Sequence, residues 1–539
     1  MAKRGITGTW CAIVAETSPW LGAGRDFGRG AALALALAAC GGPSDAPPSP
    51  VEEGFWGAVA GVEPRAILVA RDALVAGGGA VDAAVAYYFA AAVTYPSGAS
   101  LGAGGTCVVY DVGANQAEAL EFLSPAGTSS AGQRAVAVPA LARGMYALHS
   151  RYGRLPFAQL LAPAEALARF GHRVSRAFAA DVAEAGPAIA AEPSLAKVFG
   201  GIEEGSDLMQ PELAATITQV RTRGVGDFYT GGLARRLVED AEAAGTDLTF
   251  EALAGFSPVW RTAADLQIGY ALAHVPPPPV TAAASTLVQF AMIAAAGGVA
   301  GASAGDRAHL LAETGLRALA DRTAWASDGS SPPLDSAQAE ALMAGYRAEA
   351  TTDPAALPTQ PAPAHENPTG AGFVAVDNRG SAVACVVTMN NLFGSARFAS
   401  TTGVLLAAAR PPGPISLVPV IVANHNSREV LFAGAAAGGV AAPAVMAQVL
   451  ADVFDGGVAL DDAIRAPRLV NLGNPNLVVP EPDLPDSVVA DLQRRGHHLS
   501  APFGLGRVDA IYCSDGLRSR PDTCAAVTDR RGYGMAVGG

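Results

Sequence analysis

The chain has 539 residues, half of them hydrophobic and 16% charged, with a net charge of −13. That is enough apolar material for a large buried core, and at about 150 residues per domain it allows several domains or one large layered unit. The acidic balance, with no basic run or aromatic-studded groove motif to offset it, excludes a nucleic acid or an anionic membrane surface as the main partner. A small-molecule substrate fits better.

In chain order, Arg25 and Arg29 precede an apolar run over 31–39 that ends at Cys40. The run is too short to cross a bilayer as a helix, which takes about 20 residues, and it fits the hydrophobic region of an export signal. Leu37-Ala38-Ala39-Cys40 resembles the lipobox of a bacterial lipoprotein signal, with Cys40 as the lipidated residue. The Gly/Pro/Ser-rich stretch behind it reads as an extended tether. The expectation is a signal over 1–40 and a tether over 41–54, on an exported, periplasmic or cell-surface chain that meets the membrane through its lipid alone. A plain cleaved signal or a buried Ala/Leu helix is the alternative.

Among the other cysteines, Cys513 and Cys524 flank a short loop rich in Ser, Asp, Gly and Pro, and export would permit them to pair. Cys107 and Cys385 sit in apolar, strand-like runs and read as small core residues. No C-x-x-C pair or His/Cys cluster suggests a metal, and no cofactor is expected.

Folded sequence follows the tether. Residues 64–76 carry a helical pattern, three glycines interrupt it, and 80–86 resumes as a helix apolar on nearly every side. A strand is predicted over 106–110. The glycines before it lack the spacing of a dinucleotide fingerprint, which excludes a Rossmann reading. Residues 136–260 are mostly helical, with apolar i, i+3, i+4 spacing over 155–168 and a cap-like Thr249 opening a helix. Pro276 to Pro279 end a strand and lead into a helix over 282–296. After Gly380 the pattern turns to short strands, with one buried helix over 443–454.

The stretch over 365–391 holds the chemistry. A strand over 373–376, an Asp/Asn/Gly turn over 377–380 and a second strand over 382–388 predict a hairpin, with Thr369 just ahead of it behind a Pro-rich loop. A threonine hydroxyl is a weak nucleophile and needs a base. Its own α-amine, with a pKa of about 7.7–8.0, serves only once the Pro368–Thr369 bond is cut. Read locally, a lone threonine before a strand is a weak signal, and the plainer reading is one loop threonine among many.

Eight blocks in order carry a resemblance: 77–86, 101–111, 155–168, 226–234, 248–260, T-M-N-N-L-F-G at 388–394, A-P-R at 466–468, and T-D-R-R-G-Y-G-M-A-V-G-G at 528–539. They resemble the γ-glutamyltransferase (glutathione hydrolase) family over residue 55 to the end. The resemblance implies an α+β fold, the four-layer αββα sandwich of an N-terminal-nucleophile hydrolase. It also implies autocatalytic cutting into a large region, 55–368, and a small region, 369–539, that stay associated. The implied substrate is a γ-glutamyl or related small-molecule amide. Thr388 takes the place of the threonine assisting the nucleophile and Asn390 that of the asparagine holding the glutamyl end. Gly438 and Gly439 match the oxyanion-hole pair, and Ser416 the second of two substrate-binding serines.

Three departures qualify this. Leu123 stands where the family has the arginine gripping the glutamyl α-carboxylate, a contact leucine cannot make. Alanines at 407–409 replace the acidic residue for the α-amine, and Arg410 behind them is the candidate replacement contact to a carboxylate. Counted back from Asn390, the nucleophile position falls on Gly370, so Thr369 is one residue early unless a bulge at Gly370 or Gly372 absorbs the slip. Two readings stand at this point: an acyl-transferring or hydrolysing enzyme, and a degenerate, uncut family member that binds or supports at the membrane.

Overall fold

A computed structural model describes residues 54–124, 134–326, 334–357, 359, 369–410, 415–501 and 505–539. The signal stretch, Cys11, Cys40, the tether up to residue 53 and the loop over 360–368 lie outside the described residues. Those described belong to one compact unit spanning 49–539.

Local chemistry sets the first elements. Strand β1 (Gly57–Gly61) runs into helix α1 (Pro64–Val75), which starts where Glu63 accepts the Arg65 N–H and a proline takes the first turn. Helix α2 (Ala80–Thr94) is buried at every residue, as its apolar sequence requires, and Asp82 in its first turn accepts the Gly79 N–H at 2.8 Å. Strands β2 (Gly104–Asp111) and β3 (Gln116–Phe122) form a hairpin. Helices α3 (Leu141–Tyr152), α4 (Phe157–Phe170) and α5 (Pro211–Arg223) follow. Thr249 caps a short helix by accepting the Ala252 N–H at 3.1 Å. Next come β4 (Val259–Thr262), β5 (Ala264–Ile268), β6 (Ala271–Val275), α6 (Thr281–Ala295) and α7 (Ala304–Ala326).

The predicted hairpin is β7 (Ala371–Asp377) and β8 (Ala382–Thr388). Its turn is closed by Asp377 Oδ1, which accepts the N–H groups of Arg379 (2.9 Å) and Ser381 (3.0 Å), while Gly380 takes a φ of +100°. Strands β9 (Val418–Asn424) and β10 (Glu429–Ala437), helix α8 (Ala442–Phe454), and strands β11 (Arg507–Cys513), β12 (Cys524–Val527) and β13 (Met535–Gly538) complete the frame.

The strands make a seven-stranded sheet, β13-β1-β7-β8-β2-β3-β4, and a six-stranded sheet, β12-β11-β10-β9-β6-β5. Alternation sorts their side chains into layers. Ala371, Phe373 and Ala375 of β7 join the cluster under α1 and α2. Val374 and Val376 meet Ala433 and Ala435 of β10 between the sheets. The far face of the second sheet is covered by α6, α7 and α8. The result is helix, sheet, sheet, helix, with β7 and β8 at its centre. Phe373 stacks on Tyr87 at 4.3 Å between ring centroids, and removing such a buried ring costs about 3–5 kcal/mol.

Two sequence blocks meet in the C-terminal half. Arg468, fully buried, pairs with Asp529 at 2.7 Å, and Arg531 pairs with Asp529 at 3.0 Å and with Glu481. Asp529 also accepts the Val508 N–H at 3.0 Å, so this ion cluster pins the start of β11.

The expected Cys513–Cys524 bond is present. Cys107 and Cys385 are not free core thiols: they lie opposite one another in the β8–β2 register, with Cα atoms 4.0 Å apart, and are bonded. Only strand pairing, which sequence runs do not reveal, brings them together.

Candidate active site

The hairpin β7–β8 ends where the notable residues gather. The pairing Ala371↔Val387, continued by one residue, sets Gly370 opposite Thr388; Thr388 is opposite Gly104, and Gly105↔Phe122 continued sets Leu123 beside Gly104. Positions 370, 388, 104 and 123 therefore form one row across the first sheet. Thr388 shares the inter-sheet face with Val386 and Ala384.

The β7–β8 register is unbroken, and Gly372 lies in it without a bulge. The slip anticipated from the sequence is thus not absorbed within β7. A Cβ placed on Gly370 would lie 3.0 Å from the Ala437 Cβ, so position 370 faces the end of β10. Alternation puts residue 369 on the opposite face. There, the Thr369 hydroxyl is buried without a hydrogen-bond partner among the described residues, while its carbonyl accepts the Thr388 hydroxyl at 2.9 Å. Thr388 Oγ1 in turn accepts the Asn390 N–H at 2.9 Å.

Gly438 and Gly439 follow β10 with φ of +136° and +60°, angles that favour glycine, and a Cβ on Gly438 would overlap the Gly506 backbone. They lead into the N-terminus of α8, whose dipole places partial positive charge at this turn. Backbone donors there suit an oxyanion.

The remaining expected residues divide. Asn390, at a φ of +63°, donates its side-chain amide to the Ala408 carbonyl at 2.8 Å, so it braces the segment over 407–409. Arg410 reaches the Ser124 carbonyl at 3.4 Å, next to Leu123. Leu123 itself packs against the inter-sheet cluster. Ser416 stands between Ile415 and Leu417, which join the inter-sheet cluster, and its hydroxyl accepts from buried Arg322 of α7 at 3.1 Å. Cys40 lies outside the described residues.

Sequence reading missed Arg507 and Asp509, which share the inter-sheet face of β11 with Ile511 and Cys513. Asp509 Oδ2 lies 3.4 Å from the Cβ position of Gly372, and Oδ1 accepts the Thr528 hydroxyl at 2.5 Å. Burial pushes its carboxyl up to about 7. The available signal was two charges at alternate positions of an otherwise apolar strand. Among the described residues, His309, Glu313 and His497 bring donor atoms within 4.8 Å of one another. The Glu313 carboxylate, however, is taken by Arg317 (2.6 Å), Thr351 (2.8 Å) and Thr352 (2.6 Å), and a guanidinium on the ligand opposes a cation.

Two facing sheets between helical layers, with Gly370 at the start of a central strand facing Ala437, make the fold of the N-terminal-nucleophile hydrolases. By sequence, the chain belongs to the gamma-glutamyltranspeptidase family, which it matches over residues 66–410 and 407–539. It is 28% identical over 533 residues to the human glutathione hydrolase 5 proenzyme (86% of this chain, 89% of that one). It is 26% identical over 561 residues to the glutathione hydrolase proenzyme of Escherichia coli K12 (90% and 94%). Among solved structures, cephalosporin acylase from Bacillus halodurans shares the fold with a TM-score of 0.75 at 22% identity, covering 94% of this chain and 99% of that one. The gamma-glutamyltranspeptidase of Helicobacter pylori matches with a TM-score of 0.51 at 27% identity, covering 57% and 97%.

Proposed function

We propose that the chain is an exported amide hydrolase or acyl transferase in which Thr369, freed by cleavage of the Pro368–Thr369 bond, attacks an amide whose acyl end lacks a glutamyl zwitterion. Once cut, the α-amine takes the hydroxyl proton, the hydroxyl oxygen bonds to the amide carbon, and the N–H groups of Gly438 and Gly439 hold the oxyanion. Collapse expels the amine half, which carries away the proton; water or an amine then receives the acyl group. The observation that carries the reading is the Thr388 hydroxyl on the Thr369 carbonyl at 2.9 Å, which ties residue 369 to the threonine of β8 that the resemblance casts as the nucleophile's assistant. Cutting frees Thr369 from its preceding peptide, and glycine at 370 permits the rotation that turns its side chain to the inter-sheet face.

The test is self-cleavage. Wild-type protein is expected to give two fragments on a reducing denaturing gel, the smaller beginning at Thr369, and Thr369→Ala only one. A single band from aged wild-type protein overturns the reading. Export through a Cys40 anchor belongs to the same proposal, and Cys40→Ser is expected to release the protein from membranes; unchanged membrane association refutes that half.

One observation favours a second reading, an uncut binding protein: the unbroken register gives the inter-sheet position to Gly370, which has no side chain. The same gel separates the two.

A further inference from the structure

We propose that Arg507 binds a carboxylate on the amine half of the amide, the half released when the acyl group is transferred; this rests on the assignment of the site given above.

Arg507 opens β11 directly opposite Ala437, the residue before the glycine pair. Its face is that of Asp509, the face that looks toward Gly370 and Gly372 across the sheets. Strand β11 packs against β1 as well as β7, so Arg507 stands on the β1 flank of position 370. Thr388, Leu123 and Arg410 mark the other flank, along β8, β2 and β3. The two halves of an amide lie on opposite sides of its carbonyl. An acyl half against Thr388 and Leu123 therefore extends its amine half toward Arg507.

Tyr95, Asp181 and Asp509 around Arg507 favour its charged form, but none of them closes an ion pair with it. A guanidinium has five N–H donors, yet among the described residues its only hydrogen-bond partner is the neutral Tyr95 hydroxyl, at 3.2 Å from Nη1. No carboxylate of a described residue stands within ion-pair distance. Asp181 lies behind Tyr95, accepting the Ser97 hydroxyl at 2.7 Å, and burial raises its carboxyl above the usual range. The Asp509 carboxyl, at about 7, is partly protonated at neutral pH. A partly buried guanidinium with open donors and no ion pair is stabilised when a carboxylate arrives. Tyr95 takes one donor, at Nη1, and the residue is only partly buried.

The amine half alone tests this without catalysis. Glycylglycine and glycylglycinamide, which differ only in the terminal charge, are titrated calorimetrically into the full chain. Wild type is expected to bind the carboxylate at least about tenfold more tightly, the scale of one charge-assisted contact. Arg507→Met is expected to erase that ratio while leaving glycylglycinamide within about twofold, and Arg507→Lys to keep part of it. Equal binding of the two ligands by wild type, or a ratio retained in Arg507→Met, overturns the proposal. Should Arg507→Met not fold, the wild-type ratio and its reduction in Arg507→Lys decide. An uncut chain that prefers glycylglycine keeps the anion site and rejects the enzyme reading; a self-cleaving chain without the preference does the reverse.

Discussion

Leucine at 123 occupies the end of the row that runs from position 370 through Thr388 and Gly104, the place where its relatives' pattern calls for an arginine. An apolar side chain there cannot answer a zwitterion; Arg410, which reaches the neighbouring Ser124 carbonyl, brings one positive charge nearby, and residues 407–409 are alanines. Leu123→Arg is expected to raise kcat/KM for γ-glutamyl substrates relative to acyl amides lacking the α-amine, by roughly tenfold or more, since a charge-assisted contact is worth about 1.5–3 kcal/mol. Kinetics on a matched pair of substrates check this. Efficient glutathione hydrolysis by wild type, unimproved in Leu123→Arg, means that another residue has taken over recognition.

At the scale of elements, β8 carries both the Thr388 hydroxyl and, three residues earlier, the bond from Cys385 to Cys107 of β2. Cys107 lies in the region before 368 and Cys385 in the region after it, whereas the Cys513–Cys524 bond stays within the second. If the chain cuts before Thr369, the two fragments are expected to migrate as one band without reductant and as two with it. Cys385→Ala is expected to separate them under both conditions. Fragments that separate without reductant in the wild type contradict the bond between the strands.

For the whole molecule, burial drives titratable groups in opposite directions. It raises the carboxyls of Glu63 and Asp509 to about 7, and lowers the imidazoles of His172, His274 and His497 to about 4. The carboxyls, raised above their unfolded values, contribute stability that is complete below about pH 4 and is lost as pH rises through about 7. The imidazoles, depressed below theirs, contribute stability present above about 6.5 and lost as pH falls toward about 4. The two sets oppose each other between these limits. Asp509→Asn removes one proton from the balance, so its stability relative to wild type is expected to rise from pH 5 to 7, by at most about 1.4 kcal/mol per pH unit. Urea unfolding across that range checks the slope; parallel curves refute it.

Sequence alone determined the elements whose signal is local. The all-apolar run of α2, the Asp377 turn, the Thr249 cap and the glycines after β10 each state their conformation through nearby residues, and the ordered blocks identified the family and with it the layers. A period of two fixes a side chain's face once its strand is placed, and it turns position 370 toward Ala437. Tertiary structure decided what lies opposite each face. Periodicity describes a residue relative to its own strand and carries no record of the strand beside it, so the Cys107–Cys385 bond, the Arg468–Asp529 pair and the Arg507–Tyr95 contact emerged only from long-range pairing. Ser416 shows the converse: it falls where the second of two substrate-binding serines stands, with Ile415 beside it in place of the first, and its hydroxyl accepts from Arg322, where the packing of α7 on the second sheet provides a donor.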